Sequence, residues 1–409
     1  MLYFVPYQFD GMAQMMKRLL AAVVLALPMT AGWCAKPLPV QVRLTHVAPD
    51  TWRADYRFSQ PVTSIRFEPV ADFRKSAWKV LTPGVTLTTG GEHDTLAAVD
   101  GKPLRQFSVE ISTFDQLMEK QYVAMDRYSD GGRLIYLGFL QGEARQGKVV
   151  RDIAANFTLE GLGKETVLVP ATPAAPSNNA TPYAYFGPQS PVTAGEAQVL
   201  LDPGLSDWAR ETLLDTTARM STYYRAAYRQ KLRQPLLLLV AVSDTATPGL
   251  SIKGGVVGAQ IVYRFGGTAL LTAESPRKRE MVAKIVAHEM AHLWQNNVRR
   301  GGISAHSPAW VHEGGAEAMA LDGLLRSGIW SAEQGEAFTT ATLDECAKLE
   351  HSFDSYRGIY ACGFERYSQL KVDIVPLWRD MISAADSKGE IYSEAMISSL
   401  IARTGKAAP

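Results

Sequence analysis

The sequence has almost no net charge, and this absence removes whole classes of function. Its 409 residues include 42 basic and 41 acidic side chains, for a formal net charge of +1, and no block is rich in lysine or arginine. Proteins that bind nucleic acid or an anionic membrane surface concentrate positive charge in such blocks. The composition therefore favours a peptide, a protein or a small molecule as the substrate or partner.

The sequence also lacks an apolar run long enough for a permanent membrane span. The N-terminal apolar segment covers residues 19–27, follows two basic residues and leads into small residues up to Ala35. A spanning helix needs about 20 apolar residues, whereas this arrangement is typical of an export signal. We interpret residues 1–35 as a signal peptide whose true start is Met15 or Met16, and expect a periplasmic or secreted protein.

Cysteine is scarce, with three residues in the chain. Cys34 falls within the predicted signal, and Trp33 before it is a poor fit to a lipid-attachment site, so we do not expect lipid anchoring there. Cys346 and Cys362 would remain after signal cleavage. In an oxidising compartment such a pair can form one disulfide. Two buried free thiols are an equal alternative, because the sequence does not give the separation that pairing requires.

The chain divides into a β-rich part and a helical part. Apolar and charged side chains alternate over residues 52–58 with the period of a half-buried strand, and residues 37–167 continue in this style. Residues 168–192 carry many prolines with alanine, serine and asparagine, a linker composition. Amphipathic patterns within residues 193–409 predict helices around a small sheet. The predicted fold is multidomain, with a sandwich-like β domain that lacks catalytic residues before an α-rich domain.

The segment IVAHEMAHLW carries two histidines one helical turn apart. Ser275 and Pro276 predict the start of its helix, as cap and first residue. His288 and His292 then share one face, from which both imidazoles can reach one tetrahedral metal. Glu289 lies about 100° around the helix, too far to be a third ligand. It can still reach a water at the metal, as a general base must.

A catalytic zinc needs three protein ligands and one open position. A second predicted helix, within SPAWVHEGGAEAMALDGLL, supplies the third ligand. Glu313 in its first turns is the preferred candidate, and His312 and His306 are the competing ones. Glu317, one turn later on the same face, can accept a hydrogen bond from a zinc-bound histidine and fix its tautomer.

These motifs resemble the gluzincin metallopeptidases, which hold zinc with two histidines and one glutamate. HEMAH followed by WVHEGGAE is similar to the aminopeptidase N and glycyl-aminopeptidase branch, and YACGFERY looks like the start of its tyrosine helix. The resemblance implies one Zn²⁺ and a thermolysin-like zincin domain with a small β-sheet, and it covers about residues 196–375. It also implies that Tyr360, or else Tyr356, stabilises the oxyanion. The β-rich region is similar to the non-catalytic domain of that branch.

The sequence departs from that branch at the substrate strand. Aminopeptidases carry a glutamate there for the free amine of the substrate, and GGVVGAQIVYRF has none. An extended peptide can still pair by β-addition with the segment made of Gly255, Val256, Val257, Gly258 and Ala259. We therefore predict an exported zinc peptidase without assigning endo- or exopeptidase specificity. The alternatives are a zinc hydrolase of non-peptide amides or esters, and a catalytically silent binding protein of the same fold.

Overall fold

The computed structural model describes residues 36–116, 123–169, 181–243, 245–272 and 274–404. Residue 404 is described by its backbone alone. The predicted signal peptide, residues 1–35, lies outside these ranges. Among the described helices, none combines the length and the apolar character needed to cross a bilayer.

The strands in chain order are β1 (Leu38–Ala48), β2 (Thr51–Val62), β3 (Ser64–Phe67), β4 (Trp78–Val80), β5 (Val85–Thr88), β6 (Asp94–Ala98), β7 (Leu104–Ser112), β8 (Met125–Arg127), β9 (Arg133–Tyr136), β10 (Glu143–Gln146), β11 (Val149–Glu160), β12 (Thr166–Leu168), β13 (Tyr183–Gly187), β14 (Val192–Ala194), β15 (Ala197–Leu201), β16 (Leu236–Val242), β17 (Ser251–Val257) and β18 (Gln260–Gly266). The helices are α1 (Phe73–Ala77), α2 (Asp207–Tyr228), α3 (Pro276–Gln295), α4 (Ala309–Arg326), α5 (Ala332–Lys348), α6 (Tyr356–Gln369), α7 (Ile374–Lys388) and α8 (Glu394–Thr404).

The N-terminal part is a two-layered β structure. One sheet has the order β4-β7-β2-β1-β11-β10-β3-β6-β5, and a smaller one has the order β12-β13-β9-β8. Buried and exposed residues alternate along β2, as the sequence predicts. Trp52 and Tyr56 of β2 share one apolar core with Ile135 and Phe186 of the smaller sheet. Burying one face of each sheet in this way is what the alternating sequence favours.

The prediction of a linker over residues 168–192 is wrong for residues 183–187, because these residues form strand β13. All five residues of this strand are buried, and it pairs with β9 and β12. The Gln260 side chain also accepts from the Tyr183 N–H at 2.7 Å and donates to the Tyr183 carbonyl at 2.8 Å. The prolines around this run gave the segment a linker composition, although its aromatic residues favour a strand. Residues 170–180 lie outside the described ranges.

The C-terminal part is helical around a small sheet, as predicted. The sheet has the order β14-β15-β16-β18-β17, and its core is shared with α2, α3 and α4. Strand β16 is apolar on both faces, because helices cover one side and tyrosines of the β-rich part cover the other. Strand β17 lies at the edge and, within the described ranges, pairs with β18 alone.

Asp202 joins the two parts. This fully buried residue follows β15, and its carboxylate accepts backbone N–H groups of Val242 at 2.9 Å and Gly204 at 2.8 Å. Its two oxygens also lie 3.2 and 3.1 Å from the backbone nitrogen of Ser129, in the turn after β8, and the Ser129 hydroxyl donates to it as well. One buried carboxylate thus satisfies donors from three segments.

We expect Asp202→Ala to lower the free energy of unfolding by about 3 kcal/mol, because it leaves several buried donors unpaired. Urea denaturation followed by circular dichroism measures the loss. Asp215→Ala is the control, since the exposed Asp215–Arg219 pair contributes about 0.5 kcal/mol or less. Equal losses for the two variants would contradict this role of Asp202.

Candidate metal centre

Helix α3 presents two buried histidines to the interior. The Ser275 hydroxyl accepts from the Lys278 N–H at 3.3 Å and Pro276 begins the helix, as the sequence predicts. His288 and His292 are 4% and 8% exposed. Their Nε2 atoms lie 3.0 Å apart, so the two imidazoles point at the same place.

Glu313 of α4 completes a trio of converging atoms. Its Oε2 lies 3.2 Å from His288 Nε2 and 3.0 Å from His292 Nε2. Around a tetrahedral zinc with bonds of about 2.0–2.1 Å, neighbouring ligand atoms are about 3.3–3.4 Å apart. The three atoms therefore need to separate by only a few tenths of an ångström to hold zinc, and two imidazoles with one carboxylate are a donor set that zinc accepts. The residues fit the ion.

The competing ligand candidates lie beside this trio rather than in it. His312 Nε2 is 3.6 Å from the other Glu313 oxygen, Oε1, and its ring centre is 6.1 Å from that of His292. Burial lowers the pKa of His312 to about 4, against the opposing effect of Glu313. His306 is exposed in the preceding loop. The structure therefore brings together His288, His292 and Glu313.

Each histidine has a polar side chain of α3 or α4 beside its second ring nitrogen. Glu317 Oε1 lies 3.0 Å from His288 Nδ1, where the sequence predicts a supporting carboxylate. Gln295, which the sequence analysis missed, is fully buried and its Oε1 lies 2.7 Å from His292 Nδ1. Its amide nitrogen donates to the His312 carbonyl at 3.0 Å, which fixes the amide. Gln295 follows His292 by three residues on α3, a helical spacing that is the one hint of this contact in the sequence but does not by itself assign a role to a glutamine.

Lys284 is the second residue that the sequence analysis missed. It lies one turn before His288 on α3, and its ammonium contacts Glu317 Oε1. Burial raises the pKa of Glu317, but Lys284 and His288 outweigh it and the pKa falls to about 2. Glu317 is therefore ionised at neutral pH, which suits an acceptor for the His288 ring.

The charges of the trio depend on one another. Burial opposes ionisation of Glu313, but the two histidines hold its pKa well below the usual value. Burial alone would lower the pKa of His288. Glu317 and Glu313 outweigh burial and raise this pKa to about 9. The carboxylates thus make the pocket favourable for positive charge, whether this comes from protons or from a metal ion.

Glu289 faces the edge strand. Burial raises its pKa above the usual value, although His292 and His288 oppose this shift. A Cβ atom placed on Gly255 would lie 3.5 Å from Glu289 Oε2, so strand β17 passes close to the carboxylate. Of the predicted substrate segment, residues 255–257 lie in β17, whereas Gly258 and Ala259 form the turn to β18. For those two residues the prediction of a strand is wrong.

Tyr360 of α6 lies at the same centre. Its ring is stacked on that of His288, with centroids 5.3 Å apart and planes at 26°. Burial and the nearby Glu313 raise the pKa of Tyr360 well above its usual value, so the hydroxyl stays a hydrogen-bond donor. The ring of Tyr356, the alternative candidate, lies 4.7 Å from that of Tyr360 and is more exposed.

Two glycines let α6 approach α4. A Cβ atom on Gly314 would lie 2.4 Å from the Gly363 Cα, and one on Gly363 would lie 2.8 Å from the Gly314 Cα. Gly314 follows Glu313, and Gly363 is three residues after Tyr360. The Tyr367 hydroxyl adds a bond of 2.8 Å to the Val311 carbonyl. Gly314 and Gly363 therefore let the backbones of α4 and α6 touch, which brings Tyr360 close to Glu313.

Comparison with known proteins supports the fold. No protein-family model matches the sequence, and no curated protein matches it. An aminopeptidase N family protein from Idiomarina loihiensis aligns with 11% identity and a TM-score of 0.60, over 88% of this chain and 73% of that chain. Yeast LTA4 hydrolase aligns with 10% identity and a TM-score of 0.49, over 91% of this chain and 65% of that one.

A variant of an M1 zinc metallopeptidase from Deinococcus radiodurans aligns with 12% identity and a TM-score of 0.45, over 91% of both chains. Identities this low establish a shared fold alone. That conclusion rests on the Idiomarina loihiensis protein, because the other two TM-scores are lower. Because the alignment covers 88% of this chain, it includes most of both the β-rich part and the helical part.

We expect Gln295→Leu to weaken zinc binding by roughly 10- to 100-fold, the usual effect of losing a contact that orients a ligand. The His292 ring would lose the acceptor at its Nδ1. Competition with a chromophoric chelator measures the affinity. Gln369→Leu, at the exposed end of α6, is the control and should match the unchanged protein. Equal affinities of the two variants would refute the orienting role.

Gly314→Ala should destabilise the protein by about 1–3 kcal/mol, because the new methyl group overlaps the Gly363 backbone. Thermal and urea unfolding measure the change. Gly335→Ala in α5 is the matched helical control, since its methyl group meets the flexible end of Leu325 and alanine favours helix. If Gly314→Ala were as stable as this control, α4 and α6 would not depend on the glycine contact.

Proposed function

We propose that this protein is an exported zinc metallopeptidase, a hydrolase that cleaves peptide bonds. The observation that carries the proposal is the convergence of His288, His292 and Glu313 beside Glu289, at strand β17, whose outer edge pairs with no other strand of the described residues. In this proposal the three converging residues hold one Zn²⁺, and the likeness to an aminopeptidase N family fold agrees with it.

Zinc, when bound, would supply Lewis acidity that polarises the scissile carbonyl and makes water more acidic. Glu289 would accept the proton of the attacking water and pass it to the leaving amine. The pKa of Glu289 is raised above the usual value for a glutamate. This shift suits a general base, which must both accept and return a proton near neutral pH. The Tyr360 hydroxyl would donate a hydrogen bond to the carbonyl oxygen as negative charge develops on it.

The edge strand favours a peptide over the non-peptide substrates. A β-strand edge offers backbone N–H and C=O groups at a regular spacing, which an extended peptide matches. The absence of a side chain at Gly255 lets that peptide approach Glu289. A non-peptide amide or ester would use the same zinc and base but would gain nothing from the strand.

The same proposal covers the arrangement of the chain. Residues 37–167 would form a non-catalytic domain, and residues 193–409 a thermolysin-like catalytic domain of the gluzincin type. Export is supported by the signal-like residues 16–35 and by the disulfide between Cys346 and Cys362, since disulfides persist outside the reducing cytoplasm.

Glu289→Gln should lower kcat for peptide hydrolysis by at least about 100-fold, because general base catalysis contributes that much or more. Zinc content should stay at one per chain, since Glu289 is not a ligand in the proposal. A peptide-library digest with mass spectrometry gives the cleavage rate, and elemental analysis gives the zinc. A digest with a chelator separates metal-dependent cleavage from contamination.

Retained hydrolysis in Glu289→Gln would overturn the proposed mechanism. Zinc without peptide cleavage in the unchanged protein would instead favour the non-peptide hydrolase or the silent binding protein. His292→Ala is the matched loss-of-metal variant, and it should lose both zinc and activity.

A further inference from the structure

Three further metal-ligating side chains converge at the end of α5. Cys346 Sγ lies 3.5 Å from His351 Nδ1 and 3.3 Å from Glu365 Oε2. The His351 and Glu365 atoms are 2.7 Å apart. These residues come from the last turn of α5, the loop after it and the second half of α6. The proposed peptidase mechanism uses none of them.

The loop backbone directs His351 back over the helix end. Glu350 and His351 have positive φ angles of 54° and 57°, a region that residues other than glycine seldom adopt. The His351 N–H donates to the Cys346 carbonyl at 3.1 Å. The imidazole is thereby held beside Cys346, and its side chain remains 60% exposed.

The separations of the three atoms suit a zinc-like ion. With bonds of about 2.3 Å to sulfur and 2.0–2.1 Å to nitrogen or oxygen, sulfur lies about 3.6 Å from the other ligand atoms of a tetrahedral site. The observed 3.3 and 3.5 Å are close to this, and the His351–Glu365 pair would need to open by about 0.6–0.7 Å. Solvent can reach a fourth position through the exposed face of His351.

A covalent bond competes for the same sulfur. Cys346 and Cys362 are joined in a disulfide between α5 and α6, and a metal ligand must be a thiolate. We propose that Cys346, His351 and Glu365 form a second divalent-metal site, selective for zinc-like ions, that opens when a dithiol reduces the Cys346–Cys362 disulfide.

Reduction of the disulfide and binding of the cation each conserve electrons and protons. The dithiol gives two electrons and two protons to the disulfide, the Cys346–Cys362 bond breaks, and the dithiol becomes a disulfide itself. Cys362 keeps its proton as a buried thiol. Cys346 releases its proton to solvent when the cation binds, as metal-bound thiols do. Because metal and disulfide need the same sulfur, each opposes formation of the other.

Cobalt binding to disulfide-free protein tests the proposal. Cys362→Ser frees the Cys346 thiol without any reductant, and Cys346→Ser/Cys362→Ser is the matched control that lacks both thiols. Titration with Co²⁺ should show one more bound ion per chain in the single variant. It should also show a thiolate-to-cobalt charge-transfer band, which the two histidines and carboxylate of the first site cannot produce.

Adding His351→Ala or Glu365→Ala to Cys362→Ser should weaken the extra site by about tenfold or more, since even indirect contacts to a metal contribute that much. Equal cobalt content in the single and double cysteine variants, without the band, would overturn the proposal. So would a band that persists at full affinity without His351 and Glu365, because the thiol would then bind metal alone.

Unchanged protein serves as a second route if Cys362→Ser folds poorly, as circular dichroism would reveal. It is reduced with a dithiol, freed of it without air, and titrated in the same way. The extra ion should appear after reduction and be missing before it. The centre formed by His288, His292 and Glu313 contributes equally before and after reduction. Failure to bind an extra ion would therefore leave the proposed peptidase function unaffected.

Discussion

The packing of α3 against α4 is the constraint on which the rest of the centre depends. It brings three polar atoms of His288, His292 and Glu313 within 3.2 Å of one another in a buried place. Buried polar groups are costly unless each has a partner. Gln295 bonds to His292 Nδ1, and the Glu317 carboxylate lies 3.0 Å from His288 Nδ1 as an ion-pair contact, so the same two helices hold both the converging atoms and the polar groups behind them.

The edge strand adds direction to this centre. Strand β17 is held through β18 to the apolar strand β16, so its position is set by the core of the sheet and not by a loop. Gly255 brings the strand close to Glu289 without an intervening side chain. A peptide added to the strand would therefore run past the carboxylate in a register fixed by backbone hydrogen bonds.

The metal-ligating and supporting residues of α3 and α4 that the sequence identified are histidines and glutamates with regular helical spacing. His288 and His292 are one turn apart, and so are Glu313 and Glu317, and the structure keeps these pairs on common faces. Gln295 and Lys284 were missed because glutamine and lysine have many roles, and only the tertiary partner reveals which one applies. Strand β13 was missed because its burial depends on β9 and on the distant Gln260.

Helix α6 contacts the candidate metal centre with one face and helix α5 with the opposite face. Tyr360 and Cys362 are two positions apart, about 200° around a helix, so the face that meets His288 lies away from the one bonded to α5. Against α4 the position of α6 is set by backbone contact at Gly314 and Gly363, which leaves little freedom. Against α5 the disulfide is joined by the Phe338–Phe364 ring contact and the Arg357–Glu345 ion pair, and of these only the disulfide is covalent. The tyrosine hydroxyl is therefore placed mainly by the backbone contact of α6 with α4, and the α5 side supports it by packing as well as by the disulfide.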